Sequence, residues 1–146
     1  MDWWPVSPTE LNPAQLMQLM ATFLEGQAIS YRVVGSFASM AYGEPRFTND
    51  IDILADVQLE HIGAFLASFP SPEFYVSESA MRAAISPPRQ FNVIHIPSGI
   101  KVDIIVLKQD EYSRTEIQRG RRLTSPGEFD VWFAAPEDVI LNKLLY

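Results

Sequence analysis

The chain has 146 residues, of which 47% are apolar and 20% charged, a length and composition that make one globular domain with one hydrophobic core and exclude wholesale disorder. It has no cysteine, which excludes disulfides, thiolate metal sites and cysteine nucleophiles and fits a reducing, cytoplasmic setting. Eleven basic residues against eighteen acidic ones give a net charge of −7, so the chain is no general binder of phosphate backbones, while its acidity suits a protein that gathers divalent cations.

No run approaches the ~20 apolar residues of a membrane-spanning helix, and the first residues lack the basic and apolar regions of a signal peptide. Residues 1–12, with Pro5 and Pro8, read as an extended lead-in to a single domain over 13–146. Asn12 is placed to cap a helix with Pro13 at its first position. Leu16, Leu19, Met20, Phe23 and Leu24 then keep the helical period, and Gly26 ends it. Tyr31 to Val34 is a short strand running into Gly35-Ser36, where a helix of small residues opens. Ile51 to Leu54 is the next strand, and Leu59 to Phe69 an amphipathic helix stopped by Pro70 and Pro72. A weak strand at 74–76 precedes a short helix from Glu78 to Ala84. Phe91 to Ile96 and Lys101 to Leu107 read as a hairpin around Pro97-Ser98-Gly99. Asp110 to Gly120 reads as a helix, and residues 122–124 and 129–134 as a second strand pair. Pro136, followed by Glu137 and Asp138, starts a last helix. This last helix reads as ending in mid-course at Tyr146, as a domain cut there would, and its apolar face is a candidate for self-association. The mixture predicts an α+β domain with a small mixed β-sheet flanked by helices.

The chemistry concentrates in Val34-Gly35-Ser36 and Asp50-Ile51-Asp52-Ile53. A strand has period two, so Asp50 and Asp52 share one face while Ile51 and Ile53 enter the core. Carboxylates held this close repel unless one is protonated or a cation lies between them. Mg²⁺ suits such a pair, because it takes one or two protein carboxylates together with substrate phosphates. Gly35-Ser36 at a strand-to-helix turn offers the complement, a close backbone approach, helix N–H groups and a hydroxyl for an anion. Asp103 is the one acid of an apolar strand and lies on the face opposite Val102, Ile104 and Val106. Its plainer role is a salt bridge to Lys101 or an arginine. Grouped with Asp50 and Asp52, it makes a third ligand for a two-metal phosphoryl-transfer site. The corresponding plain reading of the Asp50 and Asp52 pair is a solvent-facing strand end. Arg46 is placed to clamp a triphosphate and Thr48 to brace Asp50, or both are ordinary loop residues. Arg114, Arg119, Arg121 and Arg122 form the basic cluster of the chain, a grip for RNA or a partner if they are free. His95 alternates with Phe91 and Val93 and is a candidate to line the site beside Asp103, or else a half-buried structural histidine.

Gly35-Ser36, thirteen intervening residues, Asp50-Ile51-Asp52-Ile53 and Asp103 on a later strand together resemble the nucleotidyltransferase superfamily with the DNA polymerase β-like fold. The texture from Pro45 to Asp52, and Ala135-Pro136-Glu137-Asp138 leading to Lys143, is similar to its small prokaryotic branch, which includes AbiEii-type toxins and the minimal nucleotidyltransferases of toxin–antitoxin pairs. The resemblance covers roughly residues 30 to 146. It implies transfer of a nucleotide monophosphate from an NTP such as ATP to a hydroxyl on a protein or a tRNA, with Mg²⁺ or Mn²⁺. Asp50, Asp52 and Asp103 would be the catalytic metal ligands. Gly35, Ser36, Arg46, Thr48 and Lys143 would hold the nucleotide. The resemblance also implies a cognate toxin or antitoxin as partner. The alternative is a catalytically weak or inactive module of the same fold that binds a partner as an antitoxin or regulatory subunit.

Overall fold

The computed structural model describes residues 11–35, 50–124 and 130–139. In chain order these form α1 (Pro13–Gly26), β1 (Tyr31–Val34), β2 (Asp50–Ala55), a 3₁₀ turn (Leu59–His61) leading into α2 (Ile62–Ser68), β3 (Phe74–Tyr75), α3 (Glu78–Ile85), β4 (Gln90–His95), β5 (Ile100–Val106), α4 (Glu111–Gln118), β6 (Arg121–Thr124) and β7 (Asp130–Phe133). Residues 136–139 are helical. Among the described residues the expected elements are present, most within one or two residues of their predicted ends. The predicted helix from Leu59 to Phe69 divides, its first turn being 3₁₀. The expected lead-in at 1–10, the helix after Gly35 and the end of the last helix lie outside the described residues.

Local chemistry sets several of these boundaries. Asn12 accepts a hydrogen bond from the Gln15 amide while the Gln15 side chain accepts one from the Asn12 amide, a reciprocal cap that satisfies two donors of the first turn. Ser77 caps α3 and Asp110 caps α4 through the amide three residues on. Each cap is worth about 1 kcal/mol.

The described strands form one seven-stranded sheet in the order β3-β4-β5-β2-β1-β7-β6. The β2–β5 and β1–β7 pairs are parallel and the others antiparallel, so the sheet is mixed, as predicted. The predicted hairpin is the β4–β5 pair, with His95 opposite Ile100. The two later strands pair antiparallel, with Arg121 opposite Phe133.

Strand alternation separates two faces. On the core side, Val33, Ile51, Ile53, Phe91, Val93, Val102, Ile104, Val131 and Phe133 are buried, together with Leu16, Met20 and Leu24 of α1, Phe65 of α2 and Met81 of α3. Phe65 stands edge-on to Phe23 and Phe91, with ring centroids 4.7 and 5.4 Å away, a favourable arrangement of aromatic quadrupoles. Tyr31 is buried on this side as well. Its hydroxyl donates to Glu25 at 2.6 Å and accepts from the Trp132 amide, so α1, β1 and β7 meet at one oxygen. Burial, reinforced by the Glu25 carboxylate, pushes the Tyr31 phenol far up. The opposite face of the sheet carries Arg32, Asp52, Leu54, Asn92, Lys101, Asp103 and Ile105, all partly exposed.

Candidate active site

The centre of that second face is a pair of carboxylates. β2 and β5 run parallel, and the register sets Asp52 directly beside Asp103 and Asp50 beside Lys101. Asp50, at the first position of β2, is exposed, whereas Asp52 and Asp103 are partly buried. The pKa of Asp52 is pushed up to about 6. Desolvation is the largest cause, followed by the charge of Asp103, their shared hydrogen bond and the charge of Asp50, against a smaller opposing pull from Lys101. Two carboxylates this close cannot both ionise cheaply, which is the physical sense of the upward shift of Asp52.

The turn expected to serve the ligand is built around the same pair. β1 is antiparallel to β2 with Val34 opposite Asp52, so the chain leaves β1 at Gly35 directly over that carboxylate. Gly35 has φ +67, and a Cβ added there would lie 2.3 Å from Asp52 Oδ2. Glycine is therefore required twice, by the left-handed backbone and by the side chain beneath it. The sequence assigned this freedom to a phosphate; its first visible use is to let Asp52 rise against the backbone.

Asp103 is braced from the other side. Asn92 of β4 lies opposite it, and the Asn92 amide donates to Asp103 Oδ1 at 2.7 Å. Lys101 Nζ stands 3.8 Å from the same oxygen, so the salt bridge expected of an isolated strand aspartate is also present. Of the two readings of His95, a residue lining the site beside Asp103 or a structural histidine, the described geometry fits the second. Strand parity puts it on the core face, fully buried against Phe74 with ring centroids 5.1 Å apart. Its Nδ1 contacts Ser98 Oγ at 2.7 Å, and Nε2 faces Glu73 at 3.6 Å. Burial pulls its pKa down despite Glu73. Asn92, three positions earlier on the same strand, has the parity that reaches Asp103.

Among the described residues, no three carboxylate or imidazole side chains enclose a metal position as they stand. The donor set nevertheless fits Mg²⁺ or Mn²⁺: two adjacent carboxylates at an electrostatic cost, a third acid on the same strand face, and no sulfur ligand. Ser36, Arg46, Thr48 and Lys143 lie outside the described residues.

Two of the four arginines of the basic cluster are held in internal ion pairs. Arg119 makes a two-point contact with Asp138, Nη2 to Oδ1 at 2.6 Å and Nε to Oδ2 at 3.0 Å, and Asp138 is buried. Arg122 pairs with Glu25 at 3.4 Å. Arg32 stacks on Trp132 at 4.4 Å from the ring centroid.

Comparison with solved structures gives the fold a name. A lincosamide antibiotic adenylyltransferase, LnuA, with lincomycin bound, superposes with TM-score 0.58 and 13% identity over 90% of this chain and 85% of the other. A structure from Thermotoga maritima, provisionally assigned as a nucleotidyltransferase, superposes with TM-score 0.60 and 19% identity over 90% of this chain and 83% of that one. The chain has the nucleotidyltransferase fold. It also matches 32% of the length of an apo CCA-adding enzyme, with TM-score 0.51 and 16% identity. No protein-family model matches the sequence, and a search among curated proteins finds no match.

Proposed function

We propose that this protein is a metal-dependent nucleotidyltransferase that moves a nucleotide monophosphate from an NTP to an acceptor hydroxyl. The observation that carries the reading is the side-by-side placement of Asp52 and Asp103 on adjacent parallel strands, with the Gly35 turn seated on Asp52. This lies within a fold shared with a known adenylyltransferase. Asp50 and Asp52 would hold Mg²⁺ or Mn²⁺ with Asp103, and the cation when bound would neutralise phosphate charge and acidify the attacking hydroxyl. Asp103 would complete the metal that activates the attacking hydroxyl and is the proposed base for its proton. The acceptor oxygen forms a bond to the α-phosphorus, the bond from the α-phosphorus to the bridging oxygen breaks, and pyrophosphate leaves with the electron pair. Gly35 and Ser36 would cradle the β- and γ-phosphates, with Arg46, Thr48 and Lys143 as further nucleotide contacts.

The acceptor proposed is a hydroxyl on a protein or small molecule rather than an RNA end. The net charge is −7, and two arginines of the basic cluster, Arg119 and Arg122, are engaged by Asp138 and Glu25, which disfavours a nucleic-acid backbone. The lincosamide enzyme of similar fold bears the name of a small acceptor. A toxin–antitoxin setting with a cognate partner belongs to the same proposal through the sequence resemblance. Incubation with each labelled NTP, Mg²⁺ or Mn²⁺, and cell lysate or total RNA tests it. Label should enter a protein or small-molecule fraction with the wild type and not with Asp50→Asn/Asp52→Asn; label retained by that double variant would sink the assignment.

A further inference from the structure

We infer that Asn92 is a positioning residue for Asp103, acting through the hydrogen bond between them; the inference rests on the nucleotidyltransferase reading of the site. Asn92 lies directly opposite Asp103 in the antiparallel β4–β5 pair, on the carboxylate face of the sheet. An ionised carboxylate has only acceptors, so the amide must present its NH₂ group to it, and the 2.7 Å contact from Asn92 Nδ2 to Asp103 Oδ1 satisfies that requirement. Lys101 approaches the same oxygen at 3.8 Å. Both contacts fall on Oδ1 and restrict the turning of Asp103 about its side-chain bonds. Neighbours of this kind are needed because Asp52 presses on Asp103 from the adjacent strand. Without a donor on its far side, a carboxylate beside another carboxylate would swing away from it.

Three replacements at this register position separate the features of Asn92. Aspartate has the shape but no donor, and adds a third negative charge. Leucine has nearly the volume but no hydrogen bond. Glutamine keeps the amide on a longer arm.

The test compares wild type with Asn92→Leu, Asn92→Asp and Asn92→Gln in the full chain, by melting temperature, Mn²⁺ dissociation constant from water-proton relaxation, and kcat and KM for labelled NTP. In Asn92→Leu, the melting temperature and KM should stay near wild type, while kcat and Mn²⁺ affinity fall by about 10–100-fold, the usual loss when a group that orients a metal ligand is removed. Asn92→Asp should lose more, and Asn92→Gln should recover part of the loss. Wild-type kcat and Mn²⁺ affinity in Asn92→Leu would overturn the inference, as would a loss confined to melting temperature. Failure of the nucleotidyl-transfer reading looks different: the wild type itself transfers no label. Mn²⁺ affinity then decides, a weakened value in Asn92→Leu sustaining the positioning role and an unchanged one overturning it.

Discussion

Asp52 reaches so close beneath Gly35 that a single methyl group on that glycine would sit 2.3 Å from its carboxylate oxygen. Backbone conformation and site chemistry are therefore coupled at one point. Gly35→Ala must both adopt a left-handed backbone, at about 1–3 kcal/mol, and displace Asp52 from Asp103. The expected outcome is a lower melting temperature together with lost nucleotide transfer. Gly26→Ala, where nothing lies within 4 Å of the new methyl, should leave transfer intact.

Crowding of the carboxylates has a pH signature in the metal-free protein. The folded-state pKa of Asp52 is raised from 3.8 to about 6. For an acid whose folded pKa is raised, the stabilising contribution is complete below the unfolded value and is lost as pH rises through the folded one. Between pH 4 and pH 7.5 the metal-free wild type should lose about 1–2 kcal/mol through this group, after discounting for solvent screening of a half-buried carboxyl. Asp52→Asn should not show that loss, so at pH 7.5 without metal it should be more stable than wild type. Chemical denaturation at the two pH values measures the difference.

Divalent cations should reverse that order. Mg²⁺ or Mn²⁺ binding to the native state raises stability by mass action. Wild type should gain melting temperature on millimolar Mg²⁺ with NTP, while Asp52→Asn and Asp103→Asn should gain little. An equal gain in all three would place the cation elsewhere.

Phe65 is the anchor of the aromatic cluster. It is fully buried between Phe23 and Phe91. Phe65→Ala should cost about 3–5 kcal/mol by lost burial and a residual cavity, read as a lower denaturant midpoint with an unchanged slope.

Arg119→Ala tests the commitment of the basic cluster. It removes the partner of buried Asp138 and leaves a carboxylate with neither water nor counter-charge. The variant should melt earlier than Arg114→Ala. RNA affinity lost by Arg119→Ala at unchanged stability would instead restore the RNA-gripping role.

Much of this was legible in the chain itself, because local rules leave local marks. Asn12-Pro13 marks a capped helix start, and Asp-Ile-Asp-Ile fixes which acids share a face. Asp103 among valines and isoleucines announces an outward-facing acid on a buried strand. Those marks determined the α+β class, the element order and the two strands that bear the carboxylates. Only the tertiary structure decided what lies beside what. The parallel β2–β5 register set Asp52 against Asp103, and the β4–β5 register chose Asn92 rather than His95 as the neighbour of Asp103. Likewise, long-range packing turned two arginines of a candidate binding cluster into ion pairs with Glu25 and Asp138. The physical reason is that pairing partners and registers are set by the fit of whole faces across the sheet, and a one-residue slip would exchange every inward side chain for an outward one.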